Sequence, residues 1–200
     1  MATITNQAAL SYNGITTLSN IAVGELVEVL TAAKTAVDDT YTAGGDTTYV
    51  ISMLNSGGSA LTGLTLSDTL GSYLFNGNTL YPMTYRTGSL LYYVNGVLQP
   101  TPTVAATAPL TVTGISVPAG GNAILVYSAA INEYAPLGVE DSIVNTASIT
   151  GGGLVNPVTA TETINAGTVP QLTIGKGISP ATVTENGMLT YTLTLQNRGN

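Results

Sequence analysis

The sequence predicts an all-β protein, an antiparallel immunoglobulin-like sandwich with one complete repeat flanked by partial repeats. Three observations lead to this prediction. Apolar and polar residues alternate along many short segments, turn-forming dipeptides separate those segments, and one stretch recurs near the end of the chain.

The alternation is clearest in "TYVISMLN" (48–55) and in "TYTLTLQN" near the end of the chain. In the second segment Tyr191, Leu193 and Leu195 alternate with threonines, which is typical of a strand buried on one face. Similar runs, rich in the Thr, Val, Ile and Tyr that suit a pleated sheet, are 61–70, 89–94, 110–117, 122–131 and 142–150. The nearest approach to a helix, "ELVEVLTAAKTAV", is rich in β-branched residues, and Pro170 lies in the matching part of the repeat. We therefore predict strands there as well.

Glycine pairs and runs mark the expected turns. Asn13-Gly14 and Asn95-Gly96 each separate two apolar runs and predict two-residue type I′ hairpin turns. Gly44-Gly45 and the three glycines at 151–153 are interpreted as hairpin glycines, since neither a helix nor a basic residue accompanies them to form a phosphate cradle.

An internal repeat sets the predicted domain boundaries. Residues 176–200 align without a gap on 34–58, so that Lys176 matches Lys34 and Tyr191 matches Tyr49. Similarly, "ITNQAALSYNG" (4–14) resembles "IVNTASITGGG" (143–153). We predict closing strands of a preceding or partner repeat in 1–30, a complete sandwich in 31–168 and opening strands of a second repeat in 169–200.

The composition excludes several functions. Only 8% of residues are charged, the net charge is −7, and the chain has four basic residues, too few for nucleic acid or an anionic membrane surface. The chain has no Cys, His or Trp, which removes thiol and histidine catalysis, the usual zinc sites and disulfides. No apolar run approaches the ~20 residues of a membrane span, and the N-terminus shows no signal-peptide pattern. We expect no cofactor, no bound metal and no enzymatic activity.

Three motifs in order carry a family resemblance: G-D-T-T-Y-x-I-x-x-x-N-S-G (45–57), L-T-L-S-D-T-L (64–70) and V-N-T-A-S-I (144–149). Together they resemble the conserved repeat domain, long catalogued as a "domain of unknown function", of bacterial and archaeal cell-surface proteins. The resemblance covers 31–168 fully and 172–200 in part. Such repeats usually read D-T-L-P, and Gly71 replaces the proline here. The resemblance implies a stalk or spacer module of large extracellular proteins, without catalytic activity.

Strand parity places three polar residues on inward faces: Lys34, Asp68 and Asn145. Burying them is costly unless they contact one another. One interpretation is an intramolecular Lys–Asn isopeptide cross-link, with Lys34 as nucleophile, Asn145 as electrophile and Asp68 as catalyst. The repeat-equivalent positions are Lys176 and Asn6. The alternative has the Lys34 ammonium group reaching a sheet edge while Asp68 and Asn145 bind turn backbone.

Two further groups of residues are candidates for binding sites. Asp38, Asp39 and Asp46 lie near one loop, but they lack the spacing of a calcium loop and are interpreted as solvated turn carboxylates. A sugar-stacking face is the other candidate, although tyrosines in strands are more often core or rim. Its members are Tyr73, Tyr81, Tyr85, Tyr92 and Tyr93.

The function expected from these observations is a structural repeat module of an extracellular or cell-surface stalk, layer or fibre. Because both terminal segments look like incomplete repeats, copies could polymerise head to tail by β-strand complementation, or neighbouring repeats could complete them. Neither terminal segment has an equivalent of Asp68. The alternative function is an adhesin that binds glycan or protein through the loops of 71–109.

Overall fold

The computed structural model describes residues 2–168, 172–197 and 199. Within these residues every regular element is a β-strand, and none is a helix of the length and hydropathy needed to cross a membrane. The strands of the first part of the chain are β1 (Ala2–Asn6), β2 (Ala9–Tyr12), β3 (Ile15–Leu18), β4 (Ala22–Leu26), β5 (Leu30–Ala36), β6 (Thr40–Tyr41), β7 (Asp46–Asn55), β8 (Leu61–Asp68), β9 (Tyr73–Phe75) and β10 (Asn78–Leu80).

The second part of the chain continues the same pattern of short strands. They are β11 (Met83–Tyr85), β12 (Leu91–Val94), β13 (Val97–Gln99), β14 (Thr103–Thr107), β15 (Leu110–Val117), β16 (Asn122–Ile131), β17 (Ser142–Gly151), β18 (Val158–Ala166), β19 (Leu172–Ser179) and β20 (Thr190–Asn197). "ELVEVLTAAKTAV" is divided between β4 and β5, which confirms the strand prediction for that stretch.

Two six-stranded sheets form the sandwich. The first has the order β13-β12-β16-β7-β5, with β11 also paired to β16, and the second has the order β14-β15-β8-β17-β18-β6. Their paired neighbours are antiparallel except β18 and β6, which are parallel. The predicted fold class is therefore confirmed.

The core lies between the two sheets, where alternate residues of each strand point inward. Strand β7, for example, buries Tyr49, Ile51 and Met53 and leaves the residues between them partly exposed. Inward residues from the facing sheet complete the core, among them Leu64, Leu66, Val112, Ile115 and Ile149.

The turns largely follow the predicted chemistry. Asn13-Gly14 and Asn95-Gly96 join β2 to β3 and β12 to β13, and all four residues have positive φ, as type I′ turns require. Asn76-Gly77 joins β9 to β10 in the same way, a third such turn that the sequence prediction missed. The glycines at 151–153 join the paired strands β17 and β18, as predicted. Gly44-Gly45 is a correction: it connects β6 of the second sheet to β7 of the first, so this turn does not close a hairpin.

The terminal strands form separate two-stranded sheets. β1 pairs with β4 and β2 with β3, while β19 pairs with β20. The register of β19 and β20, from Leu172 opposite Asn197 to Ile178 opposite Tyr191, matches that of β5 and β7, from Leu30 opposite Asn55. Pro170 and the junction near it lie outside the described residues, and the division into 1–30, 31–168 and 169–200 stays a prediction.

Candidate functional site

Three polar side chains, Lys34, Asp68 and Asn145, are buried in the core between the sheets. Lys34 and Asp68 form an ion pair, and the Tyr127 hydroxyl links Asp68 to Asn145. Lys34 comes from β5 of the first sheet, whereas Asp68 and Asn145 come from β8 and β17 of the second. Lys34 is 4% exposed, and Asp68 and Asn145 are fully buried. Their inward placement is therefore as strand parity predicts, and their roles beyond that stay predictions.

Asp68 is held at the centre of this cluster by three donors. Its Oδ2 accepts hydrogen bonds from the Lys34 Nζ at 2.6 Å and from the Tyr127 hydroxyl at 2.7 Å. Its Oδ1 accepts one from the backbone N–H of Leu70 at 3.0 Å. This last contact exists because β8 ends at Asp68 and the chain turns at once, with positive φ at Leu70 and Gly71.

Asn145 is fixed by contacts to both ends of its amide group. Its Oδ1 accepts hydrogen bonds from the Gly71 backbone N–H and the Thr69 hydroxyl, each at 3.1 Å. Its Nδ2 donates to the Tyr127 hydroxyl oxygen at 3.2 Å. The turn that follows β8 thus supplies donors to both Asp68 and Asn145.

The conformation of the turn after β8 explains why Gly71 replaces the proline of the D-T-L-P pattern. Its φ is +71°, which proline cannot adopt, and proline would also remove the N–H that Asn145 accepts. A Cβ at this position would lie 2.3 Å from the Cγ2 of the buried Ile143. Glycine is therefore needed at this turn for both backbone and packing reasons.

Two buried tyrosines form the wall of the site. The rings of Tyr49 and Tyr127 stack with centroids 5.6 Å apart, and the Lys34 Nζ lies 4.6 Å from the centroid of the Tyr49 ring. Sequence reasoning missed both residues as site members. The Thr-Tyr pair shared by the two repeats was the available signal for Tyr49.

Burial changes the proton affinities of the site. Desolvation lowers the pKa of Lys34 from 10.5 to about 8, although the Asp68 carboxylate opposes that shift. Burial, reinforced by the neighbouring Asp68 charge, raises the pKa of Tyr127 well above its ordinary value. The Lys34 ammonium group is therefore more acidic than usual, and its side chain and that of Asp68 are shielded from solvent.

The expected alternative, in which the Lys34 ammonium group reaches a sheet edge, is wrong. The lysine and aspartate side chains of the ion pair are both fully shielded from solvent. The second half of that alternative is partly correct, because Asp68 and Asn145 do accept hydrogen bonds from the turn backbone at Leu70 and Gly71.

The other candidate binding sites are the acidic residues near one loop and the tyrosines of the sugar-stacking face. Asp46 forms an exposed ion pair with Arg86 at 2.8 Å, and the described residues contain no cluster of acidic side chains able to hold a metal ion. Tyr85 and Tyr92 are buried in the core because their strands β11 and β12 face inward there, as expected for strand tyrosines, so the alternative of a sugar-stacking face does not hold for them. Tyr73 is exposed and anchors its hydroxyl on the Tyr134 carbonyl at 2.7 Å.

The repeat-equivalent residues occupy exposed positions. Lys176 lies on β19 with its Nζ 4.5 Å from the Tyr191 ring centroid, which reproduces the arrangement of Lys34 over Tyr49. Asn6 ends β1, opposite Ala22 of β4. The two residues therefore belong to separate two-stranded sheets.

Comparison with solved structures supports the fold. The major pilin subunit BcpA of Bacillus cereus matches with a TM-score of 0.50 and 14% identity, covering 98% of this chain and 63% of the pilin. A collagen-binding domain from a Staphylococcus aureus adhesin gives 0.42 and 14%, covering 70% of this chain and 99% of that domain. A family 123 glycoside hydrolase from Clostridium perfringens gives 0.43 and 15%, covering 70% of this chain and 27% of the enzyme.

No protein-family model matches the chain, and no curated protein sequence matches it either. The chain spans less than two thirds of the pilin that it resembles. At such low identity the structural likeness shows the fold alone, because one fold can serve many unrelated functions. The chain has an immunoglobulin-like β-sandwich fold, which it shares with that pilin subunit.

Proposed function

We propose that the protein is a non-enzymatic structural module of an extracellular or cell-surface assembly, and that copies of it join head to tail by β-strand complementation. A pilin subunit of the same fold supports the coarse assignment. A chain in which only 8% of all residues are charged suits a spacer better than a receptor for charged ligands.

The main support for head-to-tail assembly is the exposed apolar face of the hairpin β19–β20. In β7 the inward residues Tyr49, Ile51 and Met53 are buried by the facing sheet. The residues at the matching register in β20, Tyr191, Leu193 and Leu195, are all exposed. An apolar sheet face of this kind normally marks an interface.

The N-terminal strands of a second copy have the chemistry to cover this face. In the alignment of 4–14 with 143–153, Ile4 matches Ile143 and Leu10 matches Ile149. Ile143 and Ile149 face the core from β17. In the sandwich, β18 packs beside β5 across the gap between the sheets. The paired strands β1–β4 and β2–β3 of one copy would therefore lie against β19–β20 of the next, a heterologous contact that propagates into a fibre.

The test compares two leucines that are equally exposed. Leu193 of β20 and Leu98 of β13 are each 58% exposed, so Leu193→Glu and Leu98→Glu place the same charge on surfaces of similar accessibility. Sedimentation velocity over a range of concentrations and negative-stain microscopy should show linear oligomers for the parent chain and the Leu98→Glu control. The Leu193→Glu variant should remain monomeric, because a charge on the covered face opposes burial.

A parent chain that stays monomeric at every concentration would contradict head-to-tail assembly. In that case neighbouring repeats of one polypeptide are the source of the covering strands. Oligomers of equal size in both variants would contradict the role assigned to β19–β20.

A second candidate function, adhesion through the loops of 71–109, is favoured by the hairpin β9–β10. Its tip exposes Leu74, 77% accessible, and Phe75 beside it, and the Asn76-Gly77 turn holds both at the surface. Large apolar side chains at a loop tip are suited to contact with a protein or the apolar face of a sugar. A glycan array probed with the parent chain and with a Leu74→Ser/Phe75→Ser variant tests this candidate, which fails if neither protein binds.

A further inference from the structure

We propose that Lys34 and Asn145 become joined by an isopeptide bond that ties β5 of the first sheet to β17 of the second. The proposal rests on the buried cluster and is independent of head-to-tail assembly. The proposal depends on three features: a buried amine beside a carboxylate, an amide oxygen that accepts two oriented hydrogen bonds, and a hydroxyl that contacts both the carboxylate and the amide.

Lys34 supplies the nucleophile. Its Nζ is 2.6 Å from the Asp68 Oδ2, so a proton can pass directly from the ammonium group to the carboxylate. That transfer replaces two buried charges by a neutral amine and a neutral acid, which a water-free environment favours. A neutral amine is the form of lysine that attacks a carbonyl carbon.

Asn145 supplies the electrophile. Negative charge develops on its Oδ1 during attack, and this atom already accepts hydrogen bonds from the Gly71 N–H and the Thr69 hydroxyl. The Thr69 hydroxyl is itself oriented, because it accepts a hydrogen bond from the Thr146 N–H at 3.1 Å. Two fixed donors aimed at one carbonyl oxygen are the arrangement that stabilises a tetrahedral intermediate.

Tyr127 connects the carboxyl group to the leaving group. Its hydroxyl donates to the Asp68 Oδ2 at 2.7 Å and accepts from the Asn145 Nδ2 at 3.2 Å. A proton can therefore move from Asp68 through this hydroxyl to the amide nitrogen as the C–N bond breaks. Tyr127 touches the reacting amide and acts as a catalytic residue in this scheme.

The atoms of the reaction balance without an external reagent. The Lys34 ammonium group gives one proton to Asp68, and the neutral amine attacks the Asn145 Cγ to form the new C–N bond. Asp68 then protonates the departing nitrogen through Tyr127 and takes up the second proton lost by Nζ. The products are a secondary amide, a protonated Asp68 and one molecule of ammonia.

Burial promotes the reaction in two ways. The three groups are already positioned by the strands, which converts a slow bimolecular step into an intramolecular one. Water, the competing nucleophile, has no access to the site, since the side chains of Lys34 and Asp68 have no exposed surface.

The first test is the intact mass of the folded parent chain, followed by peptide mapping after denaturation and digestion. We expect a mass lower by one ammonia and one branched peptide that joins the segments containing Lys34 and Asn145. Cyclisation at an Asn-Gly sequence such as Asn13-Gly14 also releases ammonia, so the branched peptide is the decisive observation. Full mass, or a deficit that maps to an Asn-Gly sequence without a branched peptide, overturns the proposal.

Two lysine variants form a matched pair for this test. Lys34→Met keeps an unbranched side chain of similar length but removes the amine, and it should abolish both the mass deficit and the branched peptide. Lys176→Met makes the same change at the repeat-equivalent, exposed lysine of β19 and should leave both signals intact. Loss of the branched peptide in Lys176→Met, or its persistence in Lys34→Met, overturns the assignment of the nucleophile.

The second test measures how quickly the bond forms, by sampling mass after cell-free synthesis. Thr69→Val removes one donor to the Asn145 Oδ1 while keeping the side-chain shape, and it should slow bond formation about 100-fold. Tyr127→Phe keeps the ring stacked on Tyr49 but removes the relay, with an expected slowing of about 100-fold. A parent-like rate in both variants would overturn the roles of Thr69 and Tyr127, even where the bond itself forms.

Discussion

Substituting Gly71 by alanine tests how tightly the turn after β8 is packed. The new Cβ would lie 2.3 Å from the Cγ2 of Ile143 and 3.2 Å from the Cγ of Pro82. Ile143 is buried, so it cannot move away without disturbing the core. A positive φ costs an alanine about 1–2 kcal/mol, and forcing an extra methyl group into a packed core costs about 1–3 kcal/mol.

The matched control is Gly77→Ala, in the hairpin β9–β10. Gly77 has a φ of +79°, close to that of Gly71, but a Cβ there meets nothing within 4 Å. This variant should lose only the backbone contribution, about 1 kcal/mol after allowance for reduced unfolded-state entropy. The free energy of unfolding of Gly71→Ala should fall by about 2–4 kcal/mol.

Urea unfolding at neutral pH, followed by tyrosine fluorescence, measures both losses, since the chain has no tryptophan. The difference between the two variants isolates the clash with Ile143 because the backbone contribution is common to both. Equal losses in the two variants would refute the packing argument and leave only the backbone reasons for glycine at this turn.

Three more predictions concern buried polar groups. In a chain that already carries Asn145→Ala and so cannot cross-link, Lys34→Met should lower the free energy of unfolding by about 3–5 kcal/mol further, because the buried Asp68 loses its ion-pair partner, whereas adding Asp68→Leu should recover most of that further loss; urea unfolding measures both. In Asn145→Ala, which cannot cross-link, the pKa of Lys34 is expected to be about 8 in the folded chain, against 10.5 in the unfolded chain. The unfolded chain then binds more protons between these values, so stability should rise from pH 8 towards pH 10, and a flat profile would contradict this. Thr47→Val should raise the free energy of unfolding by about 1 kcal/mol, because the buried Thr47 Oγ1 has no hydrogen-bond partner among the described residues; a loss in thermal unfolding experiments would contradict it.

Much of the fold was predictable because the strand period of two is visible in the sequence. Strands β15 and β16 begin and end where the apolar runs 110–117 and 122–131 do. The same period places Lys34, Asp68 and Asn145 on inward faces, since one residue of displacement would turn each of them outward. Local pattern is sufficient for these conclusions.

The contacts within the site were less predictable. Tyr127 lies in an apolar run and has the sequence environment of an ordinary core residue, yet its hydroxyl bridges Asp68 and Asn145. That role depends on which strand of the first sheet faces β8 and β17 across the core. The positions of the donors Thr69 and Gly71 depend on the positive φ at Leu70, a backbone conformation that is uncommon for leucine and has no signal in the sequence.

The position of the proposed bond in the fold connects the two proposals mechanically. Lys34 lies on β5, at one edge of the first sheet, and Asn145 lies on β17, an inner strand of the second sheet between β8 and β18. A head-to-tail fibre pulled along its length would load the chain close to these two strands, because β1–β4 precede β5 and β19 follows β18. The bond would carry that load directly from β5 to β17, so the strands between them in sequence would not be extended. It would also close a loop of about 110 residues, and in the chain-entropy model a loop of that size stabilises the fold by about 4.7 kcal/mol. A chain without cysteine would obtain in this way the covalent restraint that a disulfide provides elsewhere.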